Sequence, residues 1–268
     1  MPIIADYHMH THLCGHAQGQ PEDYAQQALK KRLTEIGFSD HAPLVSHREP
    51  EITMDFDQLP QYWDMIQAVK KQFEGKLVVK AGIEADFLPG YEDKTRAILD
   101  QYPFDYVYGS VHYLGHWAFD HPNGMDVWNI SEVDEVYRRY YEQLRQSALS
   151  GMFDILAHVD LVKKFGHRPS SDLTAEVRET ADVFRETGVT IEINTSGLRK
   201  TAKEIYPSLD ALKIYAQADI PIIFGSDAHR PQEVAWEFAQ AADLAIQAGY
   251  RQYVLFKDRQ IERLIPLV

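Results

Sequence analysis

Three features of the chain predict an α/β fold built around a parallel sheet. Short runs rich in Val, Ile and Tyr recur along it, segments with helical periodicity separate them, and this alternation continues to the end of the sequence. A sandwich would lack the helices and a bundle would lack the strands. No Pro/Gly/Ser-rich linker, low-complexity tract or repeat of fixed period interrupts the alternation, so a single domain over residues 1–268 is expected. A β/α barrel commonly occupies about 250 residues as one unit.

Seven principal strands are read at Ile3–His8, Ile36–Asp40, Leu77–Glu84, Tyr106–His112, Ile155–His158, Val189–Asn194 and Ile220–Ser226, with a weaker eighth at Tyr253–Phe256. Helices are expected over Pro21–Leu33, Asp57–Phe73, Glu92–Tyr102, Thr174–Glu186, Ser208–Ala218 and Pro231–Ala248. A further helix follows Ser131, because Val133, Val136, Tyr137, Tyr140, Tyr141, Leu144 and Ala148 recur at spacings that share one face. Ser131 is its expected N-cap, with Asp134 at the acidic position of a capping box. Gly188 and Gly249 suit left-handed C-terminal turns. The connections Pro43–Met54 and His116–Asn129 are long enough to read as active-site loops.

With 45% hydrophobic and 12% aromatic residues, the chain can bury a sizeable core without cross-links, so any metal site should serve chemistry. Its single cysteine, Cys14, excludes an internal disulfide framework and fits a reducing compartment, which makes the cytoplasm the expected location. The opening MPIIADYHMH lacks the basic and apolar regions of a signal peptide, and no stretch reaches the roughly 20 apolar residues of a membrane span. A formal charge of -13, with no Lys/Arg run that supplies a basic patch, argues against nucleic acid as a partner. Oligomeric state is not fixed by these features.

The histidines and acids lie at the C-terminal ends of the expected strands. His8 and His10 close the first as an H-x-H pair whose period of two turns both rings to one side. His16 follows in the next loop. His41 ends the second strand in GFSDHAP, Glu84 the third in AGIEADF, His112 the fourth in YGSVH and His158 the fifth in ILAHVD. Asp227 and His229 leave the last in FGSDAH. The C-terminal rim is where a β/α barrel builds its active site. Imidazole and carboxylate suit zinc, iron or manganese, and nine such ligands exceed what one ion can employ. His12, His47, His121 and His167 lack this placement and are read as loop or surface residues.

These segments resemble the PHP (polymerase and histidinol phosphatase) superfamily, and within it the monofunctional histidinol-phosphate phosphatases. The likeness runs from D-Y-H-M-H-T-H at 6–12 to G-S-D-A-H at 225–229, and GFSDHAP, GIEADFLPG, DYVYGSVHYLG, LAHVDLVKKFG and EINTSGLRK carry it most specifically. The resemblance implies a distorted TIM-like (β/α)7 barrel with a trinuclear centre of divalent or mixed-valence ions, zinc, iron or manganese. It implies that His8, His10, Glu84 and Asp227 hold the first ion, that Glu84 bridges to a second held by His112 and His158, and that His16, His41 and His229 hold the third. The small-molecule phosphomonoester it implies is L-histidinol phosphate.

Clustered cations would make a locally positive site in an acidic protein, and a hydroxide bridging two ions is the expected nucleophile for in-line attack on phosphorus. Glu84 and Asp227 are catalytic candidates through the metals. Arg199 is a candidate phosphate contact because guanidinium pairs with phosphate oxygens. Asp160, His116 and Asp120 lie near the ligands and are candidates for meeting the leaving alkoxide or the substrate, and Lys163, Lys164 and Arg168 for adding positive field. Asp86 is a candidate partner for a cationic amine, and Tyr113, Trp117 and Phe119 for an apolar pocket. Three other readings compete: a phosphatase of another small ester, an amidohydrolase-type C–N hydrolase, and a non-catalytic binding module. Metal stoichiometry and turnover separate them.

Overall fold

Strands whose residues are buried on both faces must be covered by helices on one side and fill their own interior on the other, and this chain satisfies both demands with a nearly closed barrel. The computed structural model describes residues 3–268, so Met1 and Pro2 of the expected 1–268 domain lie outside the described residues. Its strands are β1 (Ala5–Asp6), β2 (Glu35–Phe38), β3 (Val78–Asp86), β4 (Tyr106–Ser110), β5 (Tyr113–Leu114), β6 (Trp117–Ala118), β7 (Ile155–Leu156), β8 (Thr190–Asn194), β9 (Ile222–Gly225), β10 (Gln252–Lys257) and β11 (Gln260–Pro266). Its helices are α1 (Pro21–Lys30), α2 (Leu59–Gln72), α3 (Glu92–Leu99), α4 (Met125–Trp128), α5 (Val133–Leu149), α6 (Thr174–Thr187), α7 (Leu209–Gln217) and α8 (Phe238–Ala248).

Seven strands form one parallel sheet in the order β1-β2-β3-β4-β7-β8-β9. The ring closes beyond the ends of β1 and β9, where Met9 bridges Ala228 in parallel. The Ala228 N–H donates to His8 O at 3.0 Å, and the His10 N–H donates to Ala228 O at 2.9 Å. Closure therefore runs through Met9 and Ala228, which separate the members of the first and last pairs of candidate ligands.

The interior is filled by large side chains set against small ones. Tyr106 lies across Gly82, where a Cβ would collide with its ring, and its hydroxyl donates to Tyr7 O at 2.6 Å. The Tyr7 and Tyr106 rings stack at 4.8 Å. Outside, α5 buries Val136, Tyr137, Tyr140, Tyr141, Leu144 and Ala148, the face its periodicity predicts. Each large apolar side chain so buried contributes roughly 1.5–3 kcal/mol.

The eighth candidate strand does form, as β10, but it pairs antiparallel with β11 in a separate hairpin. This hairpin covers the N-terminal end of the barrel. Ile4 N donates to the Tyr253 hydroxyl at 2.9 Å, Arg259 N to Asp105 O at 2.8 Å, and the Arg259 guanidinium to Asp154 at 2.9 Å. Arg263 pairs with the buried Glu35. The barrel's open cavity lies at its other end, where the strands finish.

Several boundaries differ from the sequence reading. Ser131 does not cap α5: its hydroxyl donates back to Val127 O at 2.6 Å, because α4 has just ended there. Asp134 instead accepts from Ser170 N at 2.6 Å and Ser171 N at 3.0 Å. The expected helix Pro231–Ala248 is split into a 3-10 turn at Pro231–Glu233 and α8, with Ala235 and Glu237 at positive φ between them. Ala235 N is drawn to the Asp6 carboxylate at 2.8 Å, a tertiary bond that outweighs helix propensity. The connection 116–129 carries β6, a 3-10 turn and α4. Gly188 and Gly249 take the left-handed turns expected of them.

Candidate metal centre

Parallel strands ending together carry their last side chains to one rim, and here all nine expected ligands collect at that end of the barrel. His8 and His10 follow β1, and His41 follows β2, where it bridges Glu84 of β3. His112 follows β4, His158 follows β7, and Asp227 and His229 follow β9. His158 and Asp227 have φ of 30° and 52°, left-handed values that side chains other than glycine adopt only when the surroundings fix them.

Glu84 sits at the centre and its two oxygens face different rings. Oε1 lies 3.1 Å from His158 Nε2 and 3.7 Å from His112 Nε2. Oε2 lies 3.1 Å from His41 Nδ1, 3.3 Å from His8 Nε2 and 3.7 Å from His10 Nε2. Burial pushes the Glu84 carboxyl up, but His41 and His8 outweigh it and hold the group well below the usual carboxylate range. Asp227 behaves likewise, with burial opposed by His8 and by His10, whose Nε2 is 3.2 Å from its Oδ1.

The remaining rings extend the cluster. His10 stacks near His229 with centroids 4.0 Å apart and near His41 at 4.3 Å, and His16 lies 4.5 Å from His229. Donor atoms of His10, His41 and His229 lie within 4.8 Å of one another, as do those of His8, His10 and Asp227, and those of His41, Glu84 and His112. Because these triplets share members, the donors form one continuous set. His229 Nε2 is buried without a hydrogen-bond partner, which an imidazole aimed at a cation would be. Donor type and spacing fit zinc, iron or manganese.

Sequence reasoning assigned none of the carboxylates that hold these rings to that role. Nδ1 of His8 lies 2.7 Å from Glu192, Nδ1 of His10 lies 3.3 Å from Asp40, and Nδ1 of His112 lies 3.0 Å from Asp86. A ring that donates one nitrogen to a carboxylate presents the other as a lone pair, which fixes the tautomer a metal ligand needs. Thr11 also bonds Asp40. Gly225 makes the Glu192 contact possible, since a Cβ there would collide with Glu192. An acid placed inside an otherwise apolar strand, as in T-I-E-I-N, is the signal that would have found Glu192.

Above the cluster opens a cavity of about 540 Å³. Lys164, Arg199, Lys200 and Arg230 bring positive charge to its wall, with Glu51 and Asp120 among the acids there. Arg199 Nη2 donates to Ser226 O at 2.8 Å and Asp227 O at 3.0 Å, and its Nη1 is buried without a partner. Lys164 pairs with Asp120 at 2.9 Å.

Several other candidates stand apart from this cavity. Asp160 lies outside this cavity, its carboxylate held by Lys163 at 2.7 Å and by the Ser208 N–H at 2.9 Å. His116 stands on the exposed turn between β5 and β6 and does not line the cavity. Asp86 lines it, with Oδ1 engaged by the His112 ring and N–H. Lys163 and Arg168 pair with Glu204 away from the cavity. Tyr113 lines the wall as expected, whereas Trp117 and Phe119 pack with Trp128 and Tyr140. His121, read as a loop residue, also lines the cavity, and His167 stacks on Trp128 at 4.3 Å.

The model of the family described as PHP domain matches residues 6–196 of this chain. A probable histidinol-phosphatase of Deinococcus radiodurans is 41% identical over 98% of this chain and 100% of its own length. A histidinol-phosphatase of Bacillus subtilis is 32% identical over 87% of this chain and 96% of its own. Among solved structures, the histidinol phosphate phosphatase of Lactococcus lactis, in complex with zinc, L-histidinol and phosphate, superposes with a TM-score of 0.81 at 21% identity, covering 97% of this chain and 98% of that one.

Proposed function

The chain belongs to the PHP domain family, and on that premise we propose that it is a metal-dependent phosphomonoesterase that hydrolyses L-histidinol phosphate to L-histidinol and phosphate, a step of histidine biosynthesis. Relatives of that name align over nearly the whole chain. The observation that carries the reading is Glu84, one buried carboxylate whose oxygens divide five imidazoles into two sets. That is the arrangement of a bridging ligand.

The reading assigns three ions of zinc, iron or manganese. His8, His10, Glu84 and Asp227 would hold the first, Glu84, His112 and His158 the second, and His16, His41 and His229 the third. Bound divalent ions supply Lewis acidity, lowering the pKa of water and neutralising the charge on phosphoryl oxygens. The chain's own residues bind and orient. Arg199 offers its unpartnered Nη1 to a phosphate oxygen, and its two bonds to the carbonyls of Ser226 and Asp227 hold it beside the cluster. Asp40 and Asp86 keep His10 and His112 turned toward the centre. Lys164, Lys200 and Arg230 draw an anion into the cavity of a protein that is acidic overall.

No helix among the described residues is long and apolar enough to cross a membrane. The single cysteine, Cys14, supports a reducing, cytoplasmic location for the enzyme. Phosphate release from a panel of small phosphomonoesters tests the substrate. L-histidinol phosphate should be turned over far faster than the others. A strong preference for another ester overturns the substrate, and no release from any ester by metal-loaded protein overturns the enzymatic reading.

A further inference from the structure

Of the seven barrel strands, β8 is the one from which none of the nine expected ligands comes. It is nevertheless buried throughout, and alternation along it puts Glu192 and Asn194 on the same side. Their contacts show that this side is the barrel interior beside the metal cluster. Glu192 Oε1 lies 2.7 Å from His8 Nδ1. Glu192 Oε2 accepts from the His158 N–H and from Asn194 Nδ2, both at 2.9 Å. Asn194 Nδ2 in turn lies 3.5 Å from Asp227 Oδ2, and Asn194 Oδ1 accepts from Ser196 N at 2.8 Å while Ser196 Oγ donates to Asp227 Oδ2 at 2.9 Å.

We propose that Glu192 is a positioning residue that holds His8 in its metal-binding tautomer and ties that ring to His158 and Asp227 on two other strands, an inference that rests on the metal-centre reading above. A carboxylate only accepts, so at 2.7 Å a His8 proton resides on Nδ1, which leaves Nε2, 3.3 Å from Glu84, as the nitrogen that can bind a metal. Without a metal a second ring proton can bridge Nε2 and Glu84, and a bound cation would take that proton's place. The other face of the ring is fixed by Tyr108, stacked at 4.7 Å.

Glutamine cannot reproduce this. With its NH2 at the Oε2 position it would point a donor at two donors, and with the NH2 at Oε1 it would donate to His8 Nδ1 and move the ring proton to Nε2, where the metal binds. Carboxylates in this role typically change metal affinity by about 10- to 100-fold. Glu192→Gln should therefore weaken binding of the ion that His8 helps to hold by about that factor.

The experiment is a titration of metal-free full-length protein with Zn2+ and with Co2+, reading ions bound per chain and the Co2+ ligand-field spectrum, alongside the melting temperature of the metal-free protein. For E192Q the expected result is a metal-free melting temperature close to wild type, at least one binding phase weakened tenfold or more, and an altered Co2+ spectrum. A titration and spectrum matching wild type overturn the proposal. If E192Q does not fold, Glu192→Asp is titrated instead: it keeps the charge but draws it back from His8, and affinity within threefold of wild type is the overturning result. Should wild-type protein bind no ions, the metal-centre reading itself has failed, a result distinct from either variant outcome.

Discussion

Oδ1 of Asp86 lies 3.0 Å from Nδ1 of His112 and 3.3 Å from the same residue's backbone nitrogen, so one carboxylate clamps both the ring and the chain that carries it. Burial acts to lower the His112 ring, but Asp86 and Asp120 raise it to about 10. Asp86→Ala removes the clamp without touching a proposed ligand. Zinc affinity of the site that His112 helps to hold is expected to fall by about 10- to 100-fold in titration of metal-free protein. An unchanged isotherm would show that His112 needs no such support.

Arg199→Ala tests phosphate binding. Loss of a charge-assisted hydrogen bond costs about 1.5–3 kcal/mol, which is a KM raised about 10-fold or more. The variant's bound-metal count should match wild type, since Arg199 meets Asp227 only at its main-chain carbonyl. A wild-type KM removes Arg199 from the binding site.

Much of this site was legible from sequence because strand-end position is a strong filter. The H-x-H pair after β1 and the D-x-H pair after β9 stand at the barrel's closure, and the strands between them bring His41, Glu84, His112 and His158 to the same rim. The supports were less legible. Asp40 and Asp86 sit beside ligands in sequence, where an acid reads equally well as a turn former, and Glu192 sits in a run read only as a strand. The surroundings of Asp160 were equally hidden: it follows His158 by two residues, yet the left-handed turn at His158 sends the chain into a 3-10 helix and its carboxylate to Lys163. The broken helix before α8 was hidden because its cause, the Asp6 carboxylate, is 229 residues away.

Tyr106 tests the barrel interior. Tyr106→Phe loses the bond to Tyr7 O, but Ser39 Oγ also donates to that carbonyl at 3.1 Å, so no buried acceptor is stranded. The loss in chemical denaturation should be about 1 kcal/mol. Tyr106→Ala opens a cavity and should cost about 3–5 kcal/mol. Equal losses for the two variants would contradict the packing account.

Asp134 gives a pH test away from the metals. Hydrogen bonds from Ser171 and Ser170 pull its carboxyl down to about 2. A group whose folded value is depressed stabilises the fold above its unfolded value, near 3.9, and that contribution disappears as pH falls through about 2. The stability difference between wild type and Asp134→Ala should stay constant from pH 7 to about 5 and shrink steadily toward pH 2. A difference that does not change with pH would assign the effect to something other than this carboxylate.

Phosphoester hydrolysis is expected to depend on metal held around Glu84. The decisive experiment follows phosphate release from L-histidinol phosphate in wild-type protein as purified, after chelation and after divalent metal is restored, with ions per chain counted at each stage. Turnover should disappear as the ions leave and return as three are regained. Undiminished release from protein stripped of metal would contradict it.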